Sequence, residues 1–209
     1  MQPTKNTAER IADALRTAIS QGHLQEGQSL RQDEIAKEFA VSKIPVREAL
    51  FRLQAEGLID MIPNKGAVVA TLTAAEINEI YVMRTALETI LLKRAIPRLT
   101  AADILQAEQI LDRIDQETDN RKWSELNWAF HERIYVASEM HRIINTVKSF
   151  HANVVRYLLA NLTTETDQYL ATSQQEHREL LAACRAGDID AACLCLEHHL
   201  SGADSAFTS

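Results

Sequence analysis

Residues 38–57 read EFAVSKIPVREALFRLQAEG. Two helical patterns meet inside this stretch. Upstream, Ile35, Ala36 and Phe39 give the inward face of a short helix over about Gln32–Phe39. Ala40 and Val41 make a tight turn, and Ser42 carries a side chain suited to an N-cap. The next helix has Pro45 in its first turn, where a missing N–H costs little. Val46, Leu50 and Leu53 form its buried stripe, and Gly57 ends it. A longer helix over about Thr7–Gln21 precedes the pair, with Ile11, Leu15, Ala18 and Ile19 on one side and Gly22 as terminator. After Gly57, LIDMI and AVVATL are short β-rich runs separated by PNKG, a hairpin in which Gly66 supplies a positive φ. Three helices followed by a two-stranded hairpin predict a winged helix-turn-helix over residues 1–72.

From Thr73 onward the periodicity is helical almost to the end. Helices are expected at roughly 74–95, with a break near Met83, and at 101–117, 121–137, 140–160, 165–186 and 188–205. Pro97, the Thr100–Asp103 start, Asn161-Leu-Thr and Gly187-Asp188 punctuate them. Helices of similar length with short connections pack as an antiparallel bundle, here residues 73–209. The fold class is therefore mainly α: an N-terminal winged helix-turn-helix followed by an all-α antiparallel helical bundle. Apolar residues make up 46% of the 209, enough for a core in each part. No apolar run reaches the length of a membrane span, and MQPTKNTAER has no apolar signal core, so a soluble cytoplasmic protein with no membrane partner is expected. Three cysteines near one end, Cys184, Cys193 and Cys195, form no disulfide framework.

The net charge of −7 is unevenly spread. Residues 1–72 carry nine Lys/Arg against nine Asp/Glu, while residues 73–209 hold thirteen against twenty. The first part is thus free to meet an anionic partner. In a helix-turn-helix the second helix enters the major groove of double-stranded DNA by its N-terminal end. Ser42, Lys43 and Ile44 occupy that end, and Arg47 projects one turn beyond Lys43. Lys65 at the hairpin tip can reach the flanking backbone or the minor groove. Any single surface Lys or Arg is more often a solvated side chain; turn, helix and basic-tipped hairpin in sequence decide for DNA. Arg52 lies further along and is assigned to structure.

VSKIPVREALFRLQAEGLIDMIPNKGAVVATLT, with LRQDEIAKEF upstream, resembles the DNA-binding signature of the GntR superfamily of bacterial transcription regulators. The resemblance implies operator binding as a homodimer, to a palindromic site, with Ser42, Lys43, Ile44, Pro45, Arg47, Lys65 and Gly66 in the DNA-contacting region. Lys43 stands where Arg is commoner, which keeps the charge and gives up bidentate recognition of guanine.

In the second part, Asn127 and His131 are one turn apart in WSELNWAFHERI, beside the apolar line Trp123, Phe130, Ile134. His177 shares a stripe with Ser173, Leu180, Leu181 and Cys184, and His199 follows Ala192 and Leu196. Three imidazoles and an amide oxygen thus converge from three helices. Each alone would more often be a satisfied core residue; together they suit a shared divalent transition metal, Zn first, with Ni or Mn as alternatives.

This bundle is similar to the FCD ligand-binding domain of the FadR-like subfamily, whose Asp/Asn-x₃-His, EH and late HL pattern appears as NWAFH, EHRELL and HHL. The resemblance implies Asn127, His131, His177 and His199 as metal ligands and leaves His198 in solvent. It also aligns Arg84 with an arginine that pairs with an effector carboxylate, against which stands an ion pair with Glu88 one turn on. His151, on the line Ile144, Val147, Val154, Leu158, is a further candidate for the cavity. The expected function is an effector-responsive transcription regulator, in most members resembling it a repressor. A small organic acid would bind the metal-containing bundle and change the spacing of two winged helices. The alternatives are a DNA-binding protein with a purely structural metal and, third, a metal-dependent enzyme, for which no nucleophile–base pair or phosphate loop is visible.

Overall fold

The computed structural model describes the backbone of residues 6–20, 22–160 and 164–208, and their side chains except at 158–160, 164–169 and 202–208. The chain divides into two compact units, Met1–Leu72 and Thr73–Ser209.

In the first unit, α1 spans Thr7–Ser20, β1 Ser29–Leu30, α2 Gln32–Glu38, α3 Lys43–Ala55, β2 Ile59–Ile62 and β3 Gly66–Val69. The strands form one antiparallel sheet in the order β1-β3-β2. Ile59 stands opposite Val69 and Ile62 opposite Gly66, which fixes the hairpin register. Its turn needs left-handed backbone, found at Asn64 (φ 65°) and Gly66 (φ 79°). Strand β1 was not anticipated; two residues are too few for an alternating pattern, yet they pair with β3 and cover its open edge. Ile11, Leu15, Ile19, Leu30, Ile35, Val46, Leu50, Leu53, Ile59 and Val69 make one core beneath the helices. Arg16 on α1 grips Glu56, past the end of α3, with two bonds of 2.8 Å. Ser42 sits at the N-cap of α3 with extended backbone, but its side chain makes no capping hydrogen bond. The expected end of α1 at Gln21 lies outside the described residues.

In the second unit, α4 spans Ala74–Ala95, α5 Ala101–Ile114, α6 Asn120–Tyr135, α7 His141–Ala160, α8 Thr164–Ala186 and α9 Ile189–Thr208. Helix starts are set locally. Thr73 and Glu76 form a reciprocal capping box for α4, Thr100 and Asp103 one for α5, and Asp119 accepts from Arg121 and Lys122 at the head of α6. The break expected near Met83 is absent: YVMRTALE contains neither Gly nor Pro, and α4 runs on unbroken. The expected stop between Asn161 and Thr163 lies outside the described residues. Helix α4 packs against α9, α7 and α6, while α5 lies on α6 and α8, and α8 on α9. Leu91, Leu92, Leu111, Phe130, Ile134, Tyr135 and Leu196 are fully buried among them.

Leu91 has no exposure. Leu91→Ala is expected to remove about 2–5 kcal/mol of stability, read as a lower urea midpoint with unchanged m-value.

Candidate functional site

Two groups of side chains carry the chemistry, one in each unit. In the first, the turn between α2 and α3 is made possible by Ala40 in the left-handed region (φ 52°). It presents Ser42, Lys43 and Ile44 to solvent at the start of α3, with Pro45 half-buried behind them and Arg47 exposed one turn on. Because Ser42 does not cap the helix, the first-turn N–H groups stay open to a phosphate. Ile44 is 71% exposed, an apolar side chain of the kind that meets a thymine methyl. The Arg47 guanidinium lies 5.4 Å from the centre of the Phe51 ring, which steadies it; Phe51 was not foreseen, although its i,i+4 spacing from Arg47 was there to read. Lys43 is ion-paired with Asp33 of α2, both well exposed. Arg52 pairs with Glu9 of α1 at 3.0 Å and is structural. Lys65 and Gly66 are exposed where the hairpin turns.

In the second unit, His131 on α6, His177 on α8 and His199 on α9 bring a ligand atom each to within 4.8 Å of one another, and all three rings are buried. The centroid separations are 5.0 Å for His131–His177, 4.6 Å for His177–His199 and 5.4 Å for His131–His199. Each ring has its Nδ1 engaged from outside the cluster. His131 Nδ1 lies 3.3 Å from the Tyr135 hydroxyl, which in turn donates to Glu88 Oε2 at 2.6 Å. His177 Nδ1 faces Gln174 Oε1 at 3.3 Å, and His199 Nδ1 faces Glu176 Oε2 at 2.9 Å. A proton on each Nδ1 satisfies these acceptors and leaves Nε2 as a lone pair directed elsewhere. Among the described residues, His131 Nε2 and His177 Nε2 have no hydrogen-bond partner. Neither has Asn127 Oδ1, buried one turn before His131 on α6.

Electrostatics agree with neutral rings at His131 and His177. Burial, reinforced by the neighbouring imidazoles, holds His131 and His177 well below the ordinary imidazole range. Neutral imidazoles whose outer nitrogens are hydrogen-bonded, with an orphaned amide oxygen beside them, are the donor set a divalent transition metal takes. The residues present fit such an ion.

Other candidates separate from this group. His151 is buried against Trp128, its Nε2 3.4 Å from the Ser124 carbonyl, and among the described residues it belongs to no shared ligand set. His198 is exposed and turns its Nδ1 to Glu176 Oε1 at 3.0 Å. Arg84 is buried and donates from Nε to Glu88 Oε1 at 2.8 Å, so the ion pair with Glu88 exists. Glu88 thereby links Arg84 to Tyr135 and His131. The roles of Glu176, Gln174 and Tyr135 were missed; Tyr135 is i,i+4 from His131 and Gln174 i−3 from His177, spacings that point to them once the ligands are known. Cys184 is buried and its thiol pushed up to about 12, burial being the main cause.

The FCD domain family matches residues 79–202, and the family of bacterial regulatory proteins named gntR matches residues 7–69. The chain belongs to the GntR family of bacterial regulators, in the group that carries an FCD domain, and so is a DNA-binding transcription regulator and not an enzyme. The HTH-type transcriptional repressor RspR of Escherichia coli K12 is 26% identical over 205 residues, spanning 96% of this chain and 88% of its own length. The gluconate operon repressor of Bacillus licheniformis is 42% identical over 89 residues, 43% of this chain and 36% of that one. A GntR family regulator from Pseudomonas syringae pv. tomato is 31% identical, with a TM-score of 0.56 over 96% of this chain and 84% of its own. Escherichia coli McbR/YncC, 23% identical, shares the fold with a TM-score of 0.77 over 95% of both chains.

Two consequences are measurable. Asp33→Asn releases Lys43 and removes a negative charge beside the phosphates; it should tighten DNA binding about two- to five-fold, read by fluorescence anisotropy at low salt. Burial holds His151 down at about 3. Between that value and the ordinary 6.5 the unfolded chain binds a proton there and the folded chain does not, so this contribution to stability is intact above about 6.5 and lost on acidification. In metal-free protein, His151→Phe should flatten the stability-versus-pH slope between pH 4 and 6 by about 1.4 kcal/mol per unit, followed by urea denaturation.

Proposed function

We propose that the chain is an effector-responsive repressor. It binds a palindromic operator as a homodimer and senses a small organic acid through a divalent transition metal, Zn by preference, held by Asn127, His131, His177 and His199. The observation that carries this reading is the arrangement of the three buried rings, each anchored by Nδ1 to Tyr135, Gln174 or Glu176. Among the described residues, Nε2 of His131 and of His177 and the Asn127 oxygen have no hydrogen-bond partner, and His199 brings a ligand atom to within 4.8 Å of the other two rings, which is what a common ion would need. Such an ion supplies Lewis-acid attraction for a carboxylate at positions the protein donors leave open. Repressor names among the relatives, RspR in particular, support the sign of regulation. The gluconate operon repressor matches only 43% of this chain, so its name carries nothing about the effector here.

Within this reading the protein's own residues divide the work. Glu176 and Gln174 fix the tautomers of His199 and His177, and Tyr135, held by Glu88, fixes that of His131. Asn127 contributes oxygen without charge, which leaves the centre more positive than a carboxylate would and suits an anionic ligand. Arg84 keeps its Nε on Glu88 and offers its outer edge to the effector carboxylate. Ser42, Lys43, Ile44, Pro45, Arg47, Lys65 and Gly66 form the DNA face. Effector binding changes operator affinity only by as much as it prefers one of the two states, typically about 5- to 150-fold.

A purely structural ion is the second reading, favoured by the depth of the cluster: His131, His177 and His199 are 1%, 0% and 3% exposed. Metal analysis of the purified chain should find one divalent ion per chain, lost in His131→Ala/His177→Ala; unchanged metal content in that variant refutes the site. With DNA selected by the wild-type protein, a screen of organic acids should yield one that lowers operator affinity at least about tenfold, a change absent in the metal-depleted protein. Heat of acid binding with no change in operator affinity would leave the structural ion as the better reading. Arg47→Ala should weaken DNA binding across sequences and reduce the salt dependence by about 1 for each chain bound.

A further inference from the structure

Helix α5 brings no ligand to the histidine cluster, yet it ends in two acids that its own dipole disfavours. Asp112 stands in its last turn and Asp115 at its C-cap, beside the partial negative charge of the helix end. Both face Arg178 of α8. The guanidinium pairs with Asp115 Oδ2 and lies 3.4 Å from Asp112 Oδ1. Exposed ion pairs of this kind contribute little, and tying α5 to α8 needs no more than one of them.

Asp115 has a second contact, and this one has a direction. Its other oxygen, Oδ1, accepts from Gln174 Nε2 at 2.7 Å, and the same nitrogen donates to the Leu111 carbonyl at 3.0 Å. A carboxylate and a backbone carbonyl can only accept, so the nitrogen of the Gln174 amide must be the atom that faces them. Turned the other way, the amide would set its oxygen against two further acceptors. The orientation decides what His177 meets. Gln174 Oε1 lies 3.3 Å from His177 Nδ1 and, as an amide oxygen, calls for a proton on that nitrogen. A neutral imidazole carries one such proton, which leaves Nε2 as a lone pair. Among the described residues, Nε2 of His177 has no hydrogen-bond partner, in a ring with no exposure. The surface end of α5 thus reaches the inner face of the cluster through a single amide.

We infer that Asp115 is a positioning residue for the histidine cluster: with the Leu111 carbonyl it locks the Gln174 amide, which holds the proton of His177 on Nδ1 and keeps Nε2 ready for a cation. The consequence for the cation rests on the metal reading proposed above, whereas the tautomer is a property of the metal-free chain.

Long-range proton–nitrogen correlation NMR of the metal-free full chain reads the tautomer of each ring directly. His177 of the wild type is expected with Nδ1 protonated. Asp115→Lys replaces an acceptor by a donor, draws the Gln174 oxygen outward and should move the proton of His177 to Nε2. Its affinity for Zn, measured by competition with a chelator, should fall about ten- to a hundredfold. Asp115→Asn keeps an acceptor and should restore the tautomer and, to within about fivefold, the affinity. Asp112→Lys makes the same change of charge on the same helix without touching Gln174. It should leave the tautomer and the affinity as they are, which separates the hydrogen bond from a long-range field. Both aspartates are exposed, so helical circular dichroism is expected to stay at the wild-type level. Gln174→Met removes the amide oxygen and should likewise release the proton from Nδ1, so the tautomer stays readable if Asp115→Lys does not fold. His177 still protonated on Nδ1 in Asp115→Lys, or an equal loss of affinity in Asp112→Lys, overturns the role of Asp115. A wild type that binds no Zn overturns the metal reading, and the spectra of the metal-free variants still decide for or against Asp115.

Discussion

Packing imidazole rings into the middle of a helical bundle costs free energy for every nitrogen that is left unanswered. A buried polar nitrogen without a partner costs free energy on the scale of the whole protein's stability margin. In this molecule the outer nitrogens of His131, His177 and His199 are answered by three different residues on two helices. Among the described residues, the inner ones of His131 and His177 have no partner. Much of the second unit can be understood from that constraint. Helices α6, α8 and α9 must meet at one depth, and Glu88 is drawn into the interior to hold Tyr135. A buried carboxylate then requires Arg84 beside it. One cluster of buried rings thus recruits a charged pair from a fourth helix.

The first unit works under the opposite constraint. Its polar groups at the head of α3 are left exposed instead of being hidden. The helix is left uncapped, and an isoleucine stands in water. Lys43 is held for the time being by Asp33. Each is unfavourable or neutral for a free domain, and each would become favourable if the proposed DNA face met a duplex. The anchor that cannot be given up is the apolar core under α1 and α3, together with the Arg16–Glu56 clasp between α1 and the residue that follows α3.

What the sequence disclosed follows from which signals are local. The turn, helix and hairpin around residues 38–69 were legible because turn residues and periodicity are written in consecutive positions. The stripes carrying His131, His177 and His199 were legible for the same reason, and their convergence followed from the number of inward faces in one bundle. Strand β1 was invisible, since two residues carry no period and their pairing with β3 is set by the rest of the unit. The break expected in α4 failed because exposed Met83 and its neighbours had no reason to interrupt good helix-forming residues. Glu176 looked like half of an EH pair, and its reach across to His198 and His199 depends on how α8 and α9 are seated against each other. Partner choice across helices is a property of packing, which a linear pattern does not record.

The three thiols of the bundle have a chemical consequence of their own. Cys184, Cys193 and Cys195 all have their ionisation pushed upward, burial being the leading cause in each. Peroxide attacks the thiolate, and at neutral pH these sulfurs remain almost entirely protonated. Burial thus lowers the reactivity of all three thiols towards oxidants.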